Sequence, residues 1–397
     1  MRNVRPGTGS ALLGLAAIAL LGATLLAVLV SRSVAGPGSG ANDARFGWQA
    51  ASKSPGAAAL ARPVALGSGL VVFTSDGSAE VIGNVSASAW SSSDGSNWSR
   101  LSQPGAIAEP GRSITLVAAC PDGHGGLVVA GTSAIASDPT LALQATIWHS
   151  PDGRTWDLAT VDGDVGASVE DVAAGADALV AVGLAQPSNA GTSLGLAWYS
   201  GDGMTWHPAS VSDSDGYSLL AVEAWLGEFV AIGSGTGGRA AAWTSADGRS
   251  WARVGSMPEG FEAHRIVAFG DRIVVVGSLA GKPETLTSGD ARTWTQAAMP
   301  LDATAAQANI WVADAVELEG RLVAVGYSTI GVVPEATNVA PPRPLVWASD
   351  DGLSWRLLPP DTTLTGSLNG AAVLGNHVVV TITDSAGSPI YLGTPGG

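Results

Sequence analysis

One short phrase is written six times along the chain, and it limits the possible folds more than any other feature. Its clearest copy is Trp148-His149-Ser150-Pro151-Asp152-Gly153-Arg154-Thr155-Trp156. The other copies centre on Asp94, Asp202, Asp247, Asp290 and Asp351, and close on Trp98, Trp206, Trp251, Trp294 and Trp355, as the clearest closes on Trp156. Asp-Gly between apolar runs predicts a tight hairpin, because Gly accepts positive φ and Asp bonds its own backbone. The Ser two residues before each Asp adds a further side-chain bond across the turn. The copy at Asp290 is degraded, with Ala291 in place of Gly. The copies recur at roughly 40–60 residues, a period that signals a propeller or an array. The flanking tryptophans are large apolar bodies suited to filling the space between stacked sheets.

Between these hairpins lies a second repeated unit, a strand, a turn and a run such as Val-Ala-Val-Gly, at Val172–Gly183, Val222–Gly233, Ile266–Gly277 and Ala315–Gly326. Looser versions occupy Pro63–Thr74, Val117–Gly131 and Ala371–Ile382. Together the two units give four short strands per repeat, as in a propeller blade. Seven of these units stand against six Trp hairpins. The chain ends account for the mismatch: one strand, Pro389–Gly393, follows the last unit, and Gly47-Trp48-Gln49-Ala50-Ala51 is similar to Trp294-Thr295-Gln296-Ala297-Ala298. Residues 46–51 are therefore expected to complete a seventh blade and hide two sheet edges. The fold class is all-β, a seven-bladed β-propeller of four-stranded antiparallel blades over residues 46–393; six blades with frayed ends is the alternative.

Ahead of the repeats, residues 1–10 carry Arg2 and Arg5, and Ala11 to Val30 is free of charged residues. About twenty such residues at 1.5 Å each can cross a hydrocarbon core, and the leading arginines favour a cytoplasmic N-terminus. Residues 11–30 are read as a transmembrane anchor and 31–45, rich in Ser, Gly and Ala, as a flexible linker. Cleavage after Ser33-Val34-Ala35, giving a secreted protein, is the alternative. The domain after the linker then lies outside the cytoplasm, attached to the cell membrane. A net charge of −15 argues against nucleic acid as a partner. Cys120 is the one cysteine, so no intramolecular disulfide stabilises the domain.

The hairpins resemble the Asp-box, or BNR, repeats of sialidase-like β-propellers. That family's pattern is Ser-x-Asp-x-Gly-x-Thr-Trp; here Asp and Gly are adjacent, one residue shorter. The resemblance implies that Asp94, Asp152, Asp202, Asp247, Asp290 and Asp351 are structural, on hairpins away from the active face. It supports fold far more than function.

In an antiparallel four-stranded blade, the second turn and the blade-to-blade link emerge on the face opposite the Asp-Gly hairpins. Long loops there, including 131–144, 184–196 and 327–345, are where binding is expected. Arg62 and Arg265 share a register before their innermost strands, and Arg112 lies slightly earlier in its own blade. Three arginines at the mouth would suit a carboxylate; pairing with Glu262 or Asp171 is the competing reading. Trp311, Tyr217 and Tyr327 are aromatics on the same face, with Trp311 the best placed to contact a ligand. A sialidase needs a Tyr nucleophile paired with Glu, and an arginine triad opened by Arg-Ile-Pro, which this chain lacks. Glu170, Asp171, Glu223 and Asp314 are the acids near inner strands, expected to be satisfied locally, and none is assigned as catalytic. No metal-ligand spacing is present, and no cofactor is implied.

These readings converge on a monomeric binding or scaffold propeller that recognises a protein or a cell-envelope glycan through its loop face. The alternative is a sialidase-like glycoside hydrolase acting in the central pocket.

Overall fold

The computed structural model describes residues 46–56, 61–76, 86–135, 143–185, 192–305, 308–329, 341–383 and 389–395. The anchor and linker expected over residues 1–45 lie outside the described residues, as do parts of the loops at 136–142, 186–191 and 330–340. Residues 44–397 cluster as one compact unit. Among its described residues, thirty strands, β1–β30 in chain order, build seven sheets with an antiparallel four-stranded core in each.

The innermost strands are β2 (Val64–Leu66), β6 (Arg112–Pro121), β11 (Ala167–Ala174), β16 (Tyr217–Trp225), β20 (Phe261–Phe269), β24 (Asn309–Leu318) and β28 (Ser367–Leu374). The seventh sheet has the order β1 (Phe46–Ala50), β30 (Ile390–Pro395), β29 (His377–Thr383), β28. The first described strand therefore closes the ring, antiparallel to the last, with Phe46 opposite Pro395 and Ala50 opposite Tyr391. Trp48 faces Gly393, where a Cβ would come within 2.6 Å of the indole. Glycine is required there because the ring lies flat across it, a cross-strand pairing of aromatic on glycine.

The Val-Ala-Val-Gly runs are second strands, buried on both faces, so successive residues pack against different neighbours. In β12 (Leu179–Ala185), Leu179 and Ala181 join the core shared with the second blade, while Val180 and Val182 join that shared with the fourth. Seven such apolar clusters occur, one at each blade-to-blade interface. The ring seam is one of them: Leu70, Val72 and Trp98 of the first blade pack on Val379 and Ile390 of the seventh.

The repeated phrase folds as a hairpin of fixed chemistry. Asp152 Oδ1 accepts the N–H groups of Arg154 and Thr155 at 2.8 and 3.0 Å, and Ser150 Oγ accepts that of Gly153 at 2.7 Å. Bonds from Thr155 and Arg154 hold the Asp152 carboxyl below the usual carboxylate range. Trp156 Nε1–H donates to Gly153 O at 3.0 Å, which seats the indole under its own turn. The degraded copy pays for its alanine: Ala291 sits at φ 55°, and the indole N–H of Trp294 has no partner among the described residues.

Each inner strand from the second blade onward also carries a bulge. The register shifts at Val117, Glu170, Leu220, His264, Ala313 and Asn369. Opposite the bulge in the third blade, a Cβ on Gly183 would meet Ser168 O at 1.9 Å. The glycine of each run is thus the partner of a bulge, and the bulge re-aims the residues that follow it.

Candidate functional site

The residue after each bulge is Ala118, Asp171, Ala221, Arg265, Asp314 or Gly370. Extending the β2 pairing by two residues gives Arg62 the same place in the first blade. Around the axis, then, cation, anion, cation and anion stand at one level, with Ala or Gly between all of them except the neighbours Arg265 and Asp314. The spacers make room: a Cβ on Gly370 would meet the Arg62 Cα at 2.9 Å.

Asp171 is the hub of this ring. It is 1% exposed, lies 3.5 Å from Arg62 Nη2 and 3.6 Å from Arg265 Nη1, and accepts the N–H groups of Val172 and Val222 at 3.0 and 3.2 Å. Asp314 likewise accepts the N–H groups of Ala315 and Ala371, both at 2.9 Å. An inner strand leaves backbone donors unpaired along the axis. Each Asp therefore satisfies its own strand and that of the next blade, and Pro63, at the corresponding position in the first blade, has no N–H to satisfy. Burial lowers the Arg62 pKa, but the field of Asp171, Asp314 and Glu223 outweighs it and raises the value.

Of the three arginines expected at the mouth, Arg62 and Arg265 meet on Asp171, the pairing that the competing reading expected, and Arg112 does not join them. Arg265 lies in the middle of β20 rather than before its strand. Arg62 lines an axial cavity of about 440 Å³ that opens among the first turns, on the hairpin face. Arg112 is held apart by Glu109 at 3.2 Å and by Ser133 Oγ at 2.8 Å. Tyr217, expected on the ligand face, is 2% exposed inside the wall, edge-on to Trp243, with its hydroxyl accepting from Arg253 at 2.8 Å.

Trp311 is different. It is 41% exposed, and one face of its indole stacks on His264, with centroids 3.9 Å apart and planes 19° apart. His264, a bulge residue that sequence reasoning missed, donates from Nδ1 to Val312 O at 2.9 Å. Burial holds its imidazole down at about 4 against that bond, so the ring is neutral at ordinary pH. Half-buried Tyr327 lies directly across the β24–β25 (Arg321–Thr329) pair from Trp311. The signal for His264 was present in the sequence: Gly277, opposite, marks where the inner strand bulges.

Glu223 lines the axial cavity with Arg62 and buried Cys120. Burial pushes its carboxyl up to about 7, and Arg62 pulls it back only in part. Between pH 4.5, its ordinary value, and about 7 the native chain keeps a proton that the unfolded chain has released. Stability is therefore expected to fall as pH rises through that window, by roughly 2–3 kcal/mol. Glu223→Gln should flatten the slope, leaving the smaller part due to Glu170, whose carboxyl burial also raises, and stabilise the protein at pH 8; urea unfolding of both forms at pH 5 and pH 8 measures this. Parallel behaviour of the two proteins would remove Glu223 from the account. Among the described residues no cluster of His, Cys, Asp and Glu has the geometry to hold a metal.

Fold and axis together define a closed seven-bladed propeller with an ion-paired core ring. Phage phi92 endosialidase is similar in structure, at TM-score 0.52 and 10% identity over 88% of this chain and 69% of that one. Trypanosoma rangeli sialidase in complex with sialic acid aligns at TM-score 0.46 and 12% identity, over 88% of this chain and 59% of the enzyme, less than two thirds of its length. A Bombyx mori GH32 beta-fructofuranosidase in complex with sucrose aligns at TM-score 0.40 and 12% identity, over 88% and 90%. Identities this low establish a likeness of fold alone. No protein-family profile matches the sequence, and no curated protein sequence matches it.

Proposed function

We propose that this protein is a carbohydrate-recognition propeller displayed outside the cytoplasm, its repeats being shortened Asp boxes and its ring non-catalytic. The observation that carries the reading is the Trp311–His264 stack. An indole fixed on one side by a half-buried neutral ring and open on the other is a preorganised platform for the apolar face of a sugar. The endosialidase and sialidases that share the fold, named for glycan substrates, point the same way. Against hydrolysis stands the commitment of the axial charges: Asp171 and Asp314 each hold two backbone amides, and Arg62 and Arg265 share one carboxylate. The uncharged run from Ala11 to Val30 supports membrane attachment.

A glycan array probed with the labelled protein is expected to give binding that falls at least about tenfold in Trp311→Ala. Unchanged binding by that variant would dismiss the platform. Release of free sugar from the bound glycans would replace the binding reading with the hydrolase.

A further inference from the structure

The hairpin face, structural by the reading above, carries a groove of about 690 Å³ between the third and fourth blades. Its cause is local composition. The first turn of the third blade is Ala174-Gly175-Ala176-Asp177-Ala178, all short side chains, whereas that of the fourth is Trp225-Leu226-Gly227-Glu228. One wall is low and the other high. Leu226 stands on the high wall, 69% exposed, in left-handed backbone at φ 50°. The two-residue turn Leu226-Gly227 imposes that backbone, as Glu319-Gly320 does in the sixth blade, and holds the leucine side chain outward. Beside it Trp225 is 9% exposed and packs toward the fifth blade, with an indole N–H that has no partner among the described residues.

The groove is also strongly acidic. Asp177, Asp202, Glu228 and Asp247 line it and are all exposed. Asp202 and Asp247 spend Oδ1 on their own hairpins, and Oδ2 of each accepts no bond from the described residues. Arg249, the arginine in the lining, is already laid over the Tyr199 ring at 5.0 Å. A second hollow of about 240 Å³ shares Gly175, Asp177 and Asp202 with the groove and carries it on to Asp122 and His124 of the second blade.

We infer that this trough is a second recognition site, and that its occupant is an extended basic peptide segment. Lysine or arginine side chains lie along the carboxylate rim, and an apolar side chain covers Leu226. The continuity across three blades calls for an extended occupant, and four carboxylates against one engaged guanidinium call for a cationic one. A net charge of −15 steers such a segment inward. The site lies on the face opposite Trp311 and does not depend on it.

Fluorescein-labelled nonapeptides of alternating Lys and Leu, Lys and Ser, and Glu and Leu, titrated into the full chain at about 0.15 M salt, test the inference by anisotropy. The Lys-Leu peptide should bind, the Lys-Ser peptide more weakly, and the Glu-Leu peptide not at all. Ala176→Trp, which fills the low wall, and Leu226→Gly, which removes the apolar contact and suits the turn, should each weaken Lys-Leu binding about tenfold; Trp311→Ala should leave it unchanged. Both substitutions are on exposed turns, and circular dichroism checks that the variants are folded. The inference is overturned if the Lys-Leu peptide does not bind, if Lys-Ser binds equally, or if neither Ala176→Trp nor Leu226→Gly alters binding, since attraction would then be to net charge alone.

Discussion

Removing residues 46–51 is expected to leave a protein that does not hold its ring. The deletion takes away a whole strand, exposes β30, and strips Phe46 and Trp48, each 8% exposed and stacked on one another at 5.6 Å, from the core between the sixth and seventh blades. Losing a buried Phe or Trp costs about 3–5 kcal/mol, and two of them approach the whole stability of an ordinary domain, roughly 5–15 kcal/mol. Thermal and urea unfolding should show loss of the native transition at 37 °C. A synthetic peptide of residues 45–53, added in trans, should restore it by pairing as the missing strand. A truncated protein that melts within a few degrees of the parent would show that the seam contributes little.

The second large effect is expected at Asp171. Replacement by alanine orphans two arginines and two backbone N–H groups at once. Breaking a buried ion pair from one side costs about 3–5 kcal/mol, and unsatisfied donors add about 1–3 kcal/mol each. Asp171→Asn, whose amide oxygen still accepts, should lose less. Because the damage is uncompensated charge, adding Arg62→Met and Arg265→Met to Asp171→Ala should recover a good part of it, which a mutant cycle by urea unfolding measures. A single-mutant loss below about 1 kcal/mol would mean that the ring is solvated rather than structural.

How far these features could be read before folding depends on the range of the interaction. The Asp152 hairpin is legible because donor, acceptor and indole lie within seven residues of one another. The seam is legible because Trp48 and its neighbours copy the outer strand that begins after Trp294. At the axis the legibility is partial. The shared register of Arg62 and Arg265 shows in the spacing, but their common partner Asp171 belongs to a third blade and reaches them only once the ring has closed. Tyr217 looks like a loop-face aromatic from its position. Arg253 and Trp243, which claim it, come from strands that the turn arrangement alone brings beside it. His264 is legible only in part: Gly277 marks the bulge, but Trp311, on which the ring stacks, belongs to the next blade and reaches it only once the blades pack.

The links between blades carry a consequence for how neighbouring molecules meet. After two of the outer strands the chain runs on as a short parallel strand against the next blade: β10 (Thr160–Val161) on β14 (Thr205–Pro208), and β15 (Ser210–Val211) on β19 (Ser250–Ser256). Lys53 does the same at the seam, bridging to Asn97. The outer strands left bare are brief, two residues at β9 (Asp157–Leu158), four at β23 (Thr295–Ala298), three at β27 (Trp355–Leu357) and five at β1 (Phe46–Ala50). A foreign strand therefore finds only short stubs to pair with, so molecules packed side by side have little on which to start a fibre. A domain with a single cysteine has no covalent staple against such conversion, and the lapped rim supplies the protection instead.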